Sequence, residues 1–406
     1  MASITKYKTK AGELRYRVQY RTPENKLTGA RGFKTKREAE NYAATVTVSK
    51  ARGEYIDPAD ARVTVGDLGP DWLARRTHLK PSSRRVEEVA WRVHVEPKWG
   101  AVKLANLRHS AVQSWVSAMG RAVTDAEGNI TAPASGPVTV IRAYNVLAGI
   151  LDDAVRDRRL VSNPARGVKL PRKVKREHPY LTDEQVIDLA RAAAAGRGGD
   201  DKPTAVLVLA YCGLRWGELA GLHVADVDML RRRLHVRRNA VNVGGTVEVG
   251  TPKTHERRTV PFPKFLAEHL AAACQGKNRD GIVFPAVDGG YAKPPGAHTW
   301  FSGAVTRCVA AADKARAAEH AAHPDREPVT AVFPRVTPHD LRHTAASLAV
   351  SAGANVKAVQ AMLGHKSAVM TLDTYAGLFD ADGDAVADAH DQRLSEVDFA
   401  VNVVRM

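Results

Sequence analysis

Seven side chains in the second half of the chain are of types that together could cut and rejoin a phosphodiester. They are Arg215, Lys253, His339, Arg342, His343, His365 and Tyr375. A guanidinium meets two phosphate oxygens at once, so Arg215 and Arg342 suit a tetrahedral anion. Two arginines and two histidines can neutralise a phosphodiester without a metal ion. A lysine can protonate a departing oxygen. A tyrosine hydroxyl can attack phosphorus and form a covalent ester. A phenol ionises near pH 10, below an aliphatic alcohol, so the same phenolate can leave again. Such an exchange conserves bond energy without ATP.

Four local elements must position these groups. An apolar helix through Ala205 to Ala210 ends at Gly213, and Arg215 opens the next segment. There Arg215 either faces a phosphate or merely pairs with Glu218 three residues on. Lys253 sits in the tight loop Thr251-Pro252-Lys253-Thr254 of a β section. Its expected parts are a strand over Arg231 to Asn239, a turn at Gly244-Gly245, a return over Thr246 to Val249 and a third strand over Arg258 to Val260. A lysine at a hairpin tip is ordinarily just solvated. Thr337 caps a helix that Pro338 opens. On it His339 and Arg342 share a face, and His343 lies one turn from His339. Spacing does not say which histidine acts, and either could be a packed core residue. Leu363 closes another helix, Gly364 suits a left-handed C-cap, His365 follows, and Tyr375 comes ten residues later. A lone tyrosine would be an amphipathic core residue.

The remaining sequence divides by composition. Residues 1–58 carry 13 Lys and Arg against 6 acids. Leu14, Tyr16, Val18 and Tyr20 alternate with Arg15, Arg17, Gln19 and Arg21, which predicts a strand with one apolar and one basic face. That basic face could lie in a DNA groove or simply meet solvent. Thr22 to Gly29 reads as a turn and Ala30 to Phe33 as a return strand. Thr35 and Glu38 form a capping box for a helix through about Lys50. Residues 63–165 read as helices. One follows Thr64; one is capped by Ser82 or Ser83, runs through Val86, Val89 and Val93 and ends at Pro97. Another covers Leu107 to Met119 with Ser110 as N-cap, and a long one covers Val138 to Arg159 with Ile141, Tyr144, Leu147, Leu151 and Val155 on one stripe. Thr124 to Gly136 reads as a loop between the last two.

Residues 166–177 read as a basic linker that cannot bury a core. Arg172, Lys173 and Lys175 within it could follow a phosphate backbone. Residues 178–406 form the last domain, with a helix opening at Thr182. The final stretch, Ala376 to Met406, reverses the charge, with seven acids against two arginines. Its Leu378, Phe379, Val386, Leu394, Val397 and Phe399 suggest a docking helix.

Composition narrows the function. The chain has 406 residues and 60 Lys and Arg against 44 Asp and Glu, a net charge of +16. That surplus points to a polyanionic partner, nucleic acid before membrane. The longest uncharged apolar stretch, Ala205 to Leu214, is half a membrane span. The N-terminus has no apolar signal core. Cys212, Cys274 and Cys308 lie far apart with no C-x-x-C pair, which fits a reducing cytoplasm and argues against a thiolate zinc site. Neither a Walker A loop, H-E-x-x-H nor G-x-S-x-G occurs; Gly196 to Gly199 lacks the lysine and the preceding strand.

Taken in order, the motifs resemble those of the tyrosine recombinases of the phage integrase family. They are Gly213-Leu214-Arg215 with Gly217-Glu218-Leu219; Thr251-Pro252-Lys253-Thr254 with Arg258-Thr259-Val260-Pro261; His339-Asp340-Leu341-Arg342-His343-Thr344; Leu363-Gly364-His365; and Tyr375. All six expected positions are filled, with histidine where some relatives carry tryptophan. The resemblance implies a multidomain chain: a small α+β N-terminal arm-binding domain, an all-α core-binding domain and a mainly α (α+β) catalytic domain. It implies that Tyr375 is the nucleophile forming a 3′-phosphotyrosyl link, that Arg215 and Arg342 hold the non-bridging oxygens, and that Lys253 is the general acid. His339 would assist proton transfer with Tyr375, His365 would bond the phosphate, and His343 would only pack. It implies double-stranded DNA with core and arm sites as partner, contacted by Arg15, Arg17 and Arg21 among others, and a homotetramer on a Holliday junction. A DNA-bending protein and a directionality factor would assist, with no cofactor, metal or membrane, in the cytoplasm of a bacterial host. The N-terminal extension favours an integrase of a temperate phage or integrative element over a Xer-like resolvase. A type IB topoisomerase-like enzyme and an inactive DNA-binding regulator are the other readings.

Overall fold

The computed structural model describes residues 2–23, 25–57, 60–173, 178–195, 201–251, 257–375, 388 and 390–393. The chain divides into two compact units, residues 1–175 and 176–406.

The first unit opens with an antiparallel sheet of β1 (Ser3–Lys8), β2 (Leu14–Arg21) and β3 (Leu27–Phe33), in that order. The alternation in β2 sends Val18 and Tyr20 into a small core with Ala39 and Val46 of α1 (Lys36–Ala51). The Thr35–Glu38 capping box opens α1. β1 escapes the alternation test because it is mostly polar; its backbone pairing with β2 makes it a strand. β3 starts at Leu27, inside the expected turn, because the ladder to Arg21 continues that far.

A helical bundle follows. α2 (Val65–Ala74) has a Thr64–Asp67 capping box. α3 (Pro81–Ala90) begins behind Lys80 with no side-chain cap, so neither Ser82 nor Ser83 plays that part. Proline at the first helical position already fits the helix and lacks the N–H that a cap would satisfy. Nor does Pro97 stop the chain. Trp91–Val95 form a π turn, with the Glu96 N–H reaching the Trp91 carbonyl, and Pro97 then sits in the first turn of α4 (Glu96–Trp99). The wide turn aims Trp91, Val95 and Trp99 inward, while Val89 and Val93 of the expected stripe are exposed. α5 (His109–Met119) opens behind Arg108, not at Ser110. The expected loop holds a short hairpin, β4 (Val123–Thr124) and β5 (Ile130–Ala132), so the region is not wholly helical. α6 (Pro137–Arg156) is the central helix, burying Tyr144, Leu147, Ile150 and Leu151. Gly149 on α6 admits the Trp72 indole, which would lie 2.6 Å from an added Cβ.

The stretch expected to be a linker is one only in part. Ala165 and Val168 are buried in the bundle core, Val168 at 8 % exposure. The Tyr144 hydroxyl donates to the Ala165 carbonyl at 2.8 Å. Gln113 accepts from the Lys169 N–H at 2.8 Å and donates to its carbonyl at 3.1 Å. Ala165 and Val168, with Leu170 packed against the same core, fasten the segment as far as Leu170. Arg172 and Lys173 are exposed.

The second unit comprises α7 (Asp183–Ala194), α8 (Asp201–Cys212), α9 (Trp216–Ala220), β6 (Val227–Asp228), β7 (Arg233–Val236), β8 (Asn239–Val243), β9 (Thr246–Gly250), β10 (Arg258–Pro261), α10 (Leu266–Cys274), α11 (Trp300–Ala322), α12 (Pro338–Ser351), α13 (Val356–Leu363) and α14 (Ala368–Tyr375). α8 is apolar on every side because it is the central helix, packed against α7, α10 and α12. The expected three-stranded run is split. β10 pairs with β7 in a sheet ordered β10-β7-β6, and β8 with β9 form a separate hairpin turning at Gly244-Gly245. Among the described residues no helix is long and apolar enough to cross a membrane. The three cysteines are free. Lys253, Gly196 to Gly199, Lys175 and the tail residues Leu378, Phe379, Val386, Leu394, Val397 and Phe399 lie outside the described residues.

Candidate active site

The site is built outward from a buried carboxylate. α8 ends at Cys212, and Gly213 reverses the chain at φ 63°, a backbone state that glycine enters without strain. Arg215 thereby becomes the N-cap of α9, with Glu218 three residues on and fully buried. Glu218 accepts from the Arg215 N–H and guanidinium, each at 2.9 Å. Arg258 of β10 grips the same carboxylate with both terminal nitrogens, at 2.9 and 2.8 Å. Its Nε donates to the Met362 carbonyl at 3.0 Å, joining β10 to α13. Burial alone would raise the Glu218 pKa; the Arg258 hydrogen bonds, with the charges of both arginines, bring it down to about 2. One carboxylate thus orients two guanidiniums, and one positive charge is left over. Arg215 makes the expected pair with Glu218, and its side chain stays 23 % exposed.

Among the described residues Arg342 is the most deeply placed cation, at 2 % exposure. The Thr337–Asp340 capping box and Pro338 start α12 so that Arg342 falls one turn in. Its guanidinium donates to the Gly213 carbonyl at 2.6 Å and to the Leu363 carbonyl. Those are the last carbonyls before the segments that carry Arg215 and His365, so Arg342 ties the three motifs together. Burial, then the Arg215 charge, lowers its pKa to about 9, which still leaves it cationic at neutral pH.

The histidines differ sharply in surroundings. His339 is one turn before His343 on α12, their rings edge-on at 5.1 Å. His343 is buried, stacks on His178 at 3.7 Å, and shares a 2.7 Å hydrogen bond with the Tyr375 hydroxyl through Nδ1. His365 follows Gly364, which holds the left-handed conformation at φ 65° expected of a C-cap. Its Nδ1 shares a 3.0 Å hydrogen bond with Thr371 Oγ1, and its ring lies parallel to that of Tyr375 at 6.4 Å. Burial, then the Arg342 charge, lowers the His339 and His365 pKa values, the latter to about 4. Tyr375 ends α14 at 1 % exposure, and burial pushes its pKa up to about 12. Beside His365 opens a cleft of about 460 Å³ lined in part by Arg257, Arg258, Thr259 and Lys357.

Five of the six expected catalytic positions therefore gather in one place, from the α8–α9 turn, α12, the α13–α14 turn and the end of α14; Lys253 is the sixth. The expected DNA-contact arginines of β2 have local partners: Arg15 with Glu13, Arg17 Nε donating to Thr5 at 2.7 Å, and Arg21 donating to the Asn25 carbonyl at 2.9 Å. Motif reading gives no role to three residues that the structure places beside this cluster. Arg258 lay inside a quoted motif with no role assigned, though a basic residue on the strand after the lysine loop was a usable signal. The family resemblance gives His343 a packing role only. His178 sits before α7, and nothing local marks it.

Known proteins resemble this chain over much of its length. A profile described as the phage integrase family matches residues 179–381. The integrase of Mycobacterium phage D29 is 26 % identical over 359 residues, covering 85 % of this chain and 84 % of its own. A Tn1549 transposon integrase solved with a circular intermediate DNA superposes with a TM-score of 0.58 at 22 % identity, covering 82 % of this chain and 99 % of that one. A lambda integrase tetramer bound to a Holliday junction gives 0.52 at 15 % identity, covering 89 % and 95 %. With the family profile spanning half the chain and the charged cluster falling inside it, this chain belongs to the phage integrase family and is a tyrosine-type site-specific DNA recombinase.

Proposed function

We propose that this recombinase is an integrase that inserts and excises a mobile element, with Tyr375 as nucleophile. The observation that carries the reading is the convergence of Arg215, Arg342, His339 and His365 on the neighbourhood of one tyrosine. In the reaction Tyr375 Oη bonds to phosphorus while the bond to the 5′-oxygen breaks. The strand stays attached through a 3′-phosphotyrosine, and a 5′-hydroxyl departs with a proton from Lys253. A 5′-hydroxyl from a second duplex then attacks the same phosphorus and displaces the tyrosine. Four subunits on two duplexes would pass through a Holliday junction, aided by a DNA-bending protein and a directionality factor. Arg215 and Arg342 face charge that grows on the non-bridging oxygens, where prearranged donors matter most. The Nε2 atom of His365 adds a further donor once Nδ1 is held by Thr371. His339 moves a proton at the tyrosine. The β1–β3 sheet with its basic strand is the element suited to a second class of DNA site, which favours an integrase over a resolvase.

The test is a nicked duplex carrying the element's junction sequence, from which the cleaved strand diffuses away and traps the covalent complex. Wild type should accumulate a protein–DNA adduct, Tyr375→Phe should give none, and Arg342→Ala should slow trapping by about 10²–10³-fold. An adduct formed by Tyr375→Phe would overturn the assignment.

A further inference from the structure

In this conformation the nucleophile is sheathed. Tyr375 is 1 % exposed, so no DNA phosphate reaches its hydroxyl in this arrangement. Its hydrogen-bond partner is not His339 but His343, through Nδ1 at 2.7 Å. The direction of that bond follows from counting. Among the described residues, His343 Nε2 is buried without a partner. If the phenol donates to Nδ1, one polar group is left over, the Nε2–H. If Nδ1–H donates instead, two are left, the phenol proton and the Nε2 lone pair. An unmet buried polar group is costly, so the phenol donates and the imidazole accepts. The ring is itself fixed, stacked on His178 at 3.7 Å with 18° between planes and edge-on to His339. His178 in turn faces Asp340, which caps α12.

We infer that His343 is a positioning residue that holds the Tyr375 hydroxyl buried in the DNA-free protein, and that release of this bond precedes attack on DNA. The inference takes Tyr375 as the nucleophile, as proposed above. A role as proton acceptor in this arrangement is disfavoured. Burial, then His178 and His339, lower the imidazole pKa to about 4, against about 12 for the phenol. The proton therefore rests on the phenol oxygen. The pair therefore stores the hydroxyl in its protonated form. A DNA backbone bound by Arg215 and Arg342 then competes for it.

Two substitutions separate holding from packing. His343→Asn keeps an acceptor oxygen close to the Nδ1 position; His343→Phe keeps a stackable ring and removes the acceptor. Without DNA, nitration of Tyr375 by tetranitromethane, located by mass spectrometry with the other tyrosines as internal references, reports release. With DNA, adduct formation on the nicked duplex reports chemistry. Loss of one hydrogen bond worth about 1.4 kcal/mol predicts roughly tenfold faster nitration in His343→Phe, adduct formation no slower than wild type, and near-wild-type values for His343→Asn. Unchanged nitration in a folded His343→Phe protein would overturn the inference. So would adduct formation a hundredfold slower in His343→Phe and recovered in His343→Asn, since His343 would then act in the chemical step. If His343→Phe fails to fold by circular dichroism, His343→Met serves in its place under the same criteria. The nitration arm needs no DNA, so it judges His343 even if Tyr375→Phe shows the nucleophile to lie elsewhere.

Discussion

The helical bundle around α6 and the charged cluster of the second unit solve burial in opposite ways. The described bundle core holds apolar side chains, Tyr144, whose hydroxyl is satisfied at a carbonyl, and Trp99, whose indole N–H is buried without a partner. The second unit buries Glu218, Asp340, Arg342 and His343. In the bundle, stability comes from removing apolar area from water and filling volume. Around Glu218 it depends on every charge keeping its partner, since an unpaired buried charge costs several kcal/mol. The first arrangement tolerates apolar residues of the right size. The second tolerates none of the wrong charge, and that intolerance keeps the Arg215 and Arg258 guanidiniums fixed around Glu218.

The comparison can be broken by substitution. Leu151, fully buried on α6, should lose about 4 kcal/mol of unit stability on change to Ala, read by urea unfolding. Glu218→Gln, nearly the same shape, should lose about 3 kcal/mol and slow DNA cleavage as well, because Arg258 and Arg215 are left without a counter-charge. A loss under 1 kcal/mol there would show that shape, not charge, holds the cluster.

Acid sharpens the contrast. His343 and His365 have pKa values near 4 in the fold against 6.5 for an ordinary histidine. Between those values the unfolded chain binds more protons, so stability is whole above pH 6.5 and falls as pH drops toward 4. Glu218, lowered to about 2 from 4.5, adds a second loss as pH falls from 4.5 toward 2. Hydrogen exchange, corrected for its intrinsic pH dependence, should show α12 losing protection on the order of tenfold from pH 6.5 to 4.5. The core of α6, which buries no acid or histidine among the described residues, should hold its protection. The smallest effect belongs to Leu151→Met. A volume-conserving swap should cost about 1 kcal/mol, against about 3 for the equally conservative Glu218→Gln.

Much of this was legible locally. Capping boxes at Thr35, Thr64, Thr182 and Thr337 open their helices, because the signal and its consequence lie three residues apart. Gly213 and Gly364 end theirs for the same local reason. The π turn before Pro97 was not legible, since tertiary packing of Trp91 and Val95 decides it. Nor was the pairing of β10 with β7 over the nearer β9, because a strand's partner is chosen by what else must be buried. The segment after Asn163 looked like a solvated linker by charge, yet Ala165, Val168 and Leu170 anchor it.

From the order of residues alone came the inventory: which groups can hold a phosphate, which can attack it, and that they recur in a family's arrangement. That knowledge is chemical, and residue type carries it. Which histidine touches the tyrosine, and that the tyrosine is hidden, came only from three dimensions. His339 and His343 are one turn apart on one helix, and no spacing rule separates them. The packing of α14 and His178 against α12 does, by deciding which ring is within 2.7 Å of the hydroxyl.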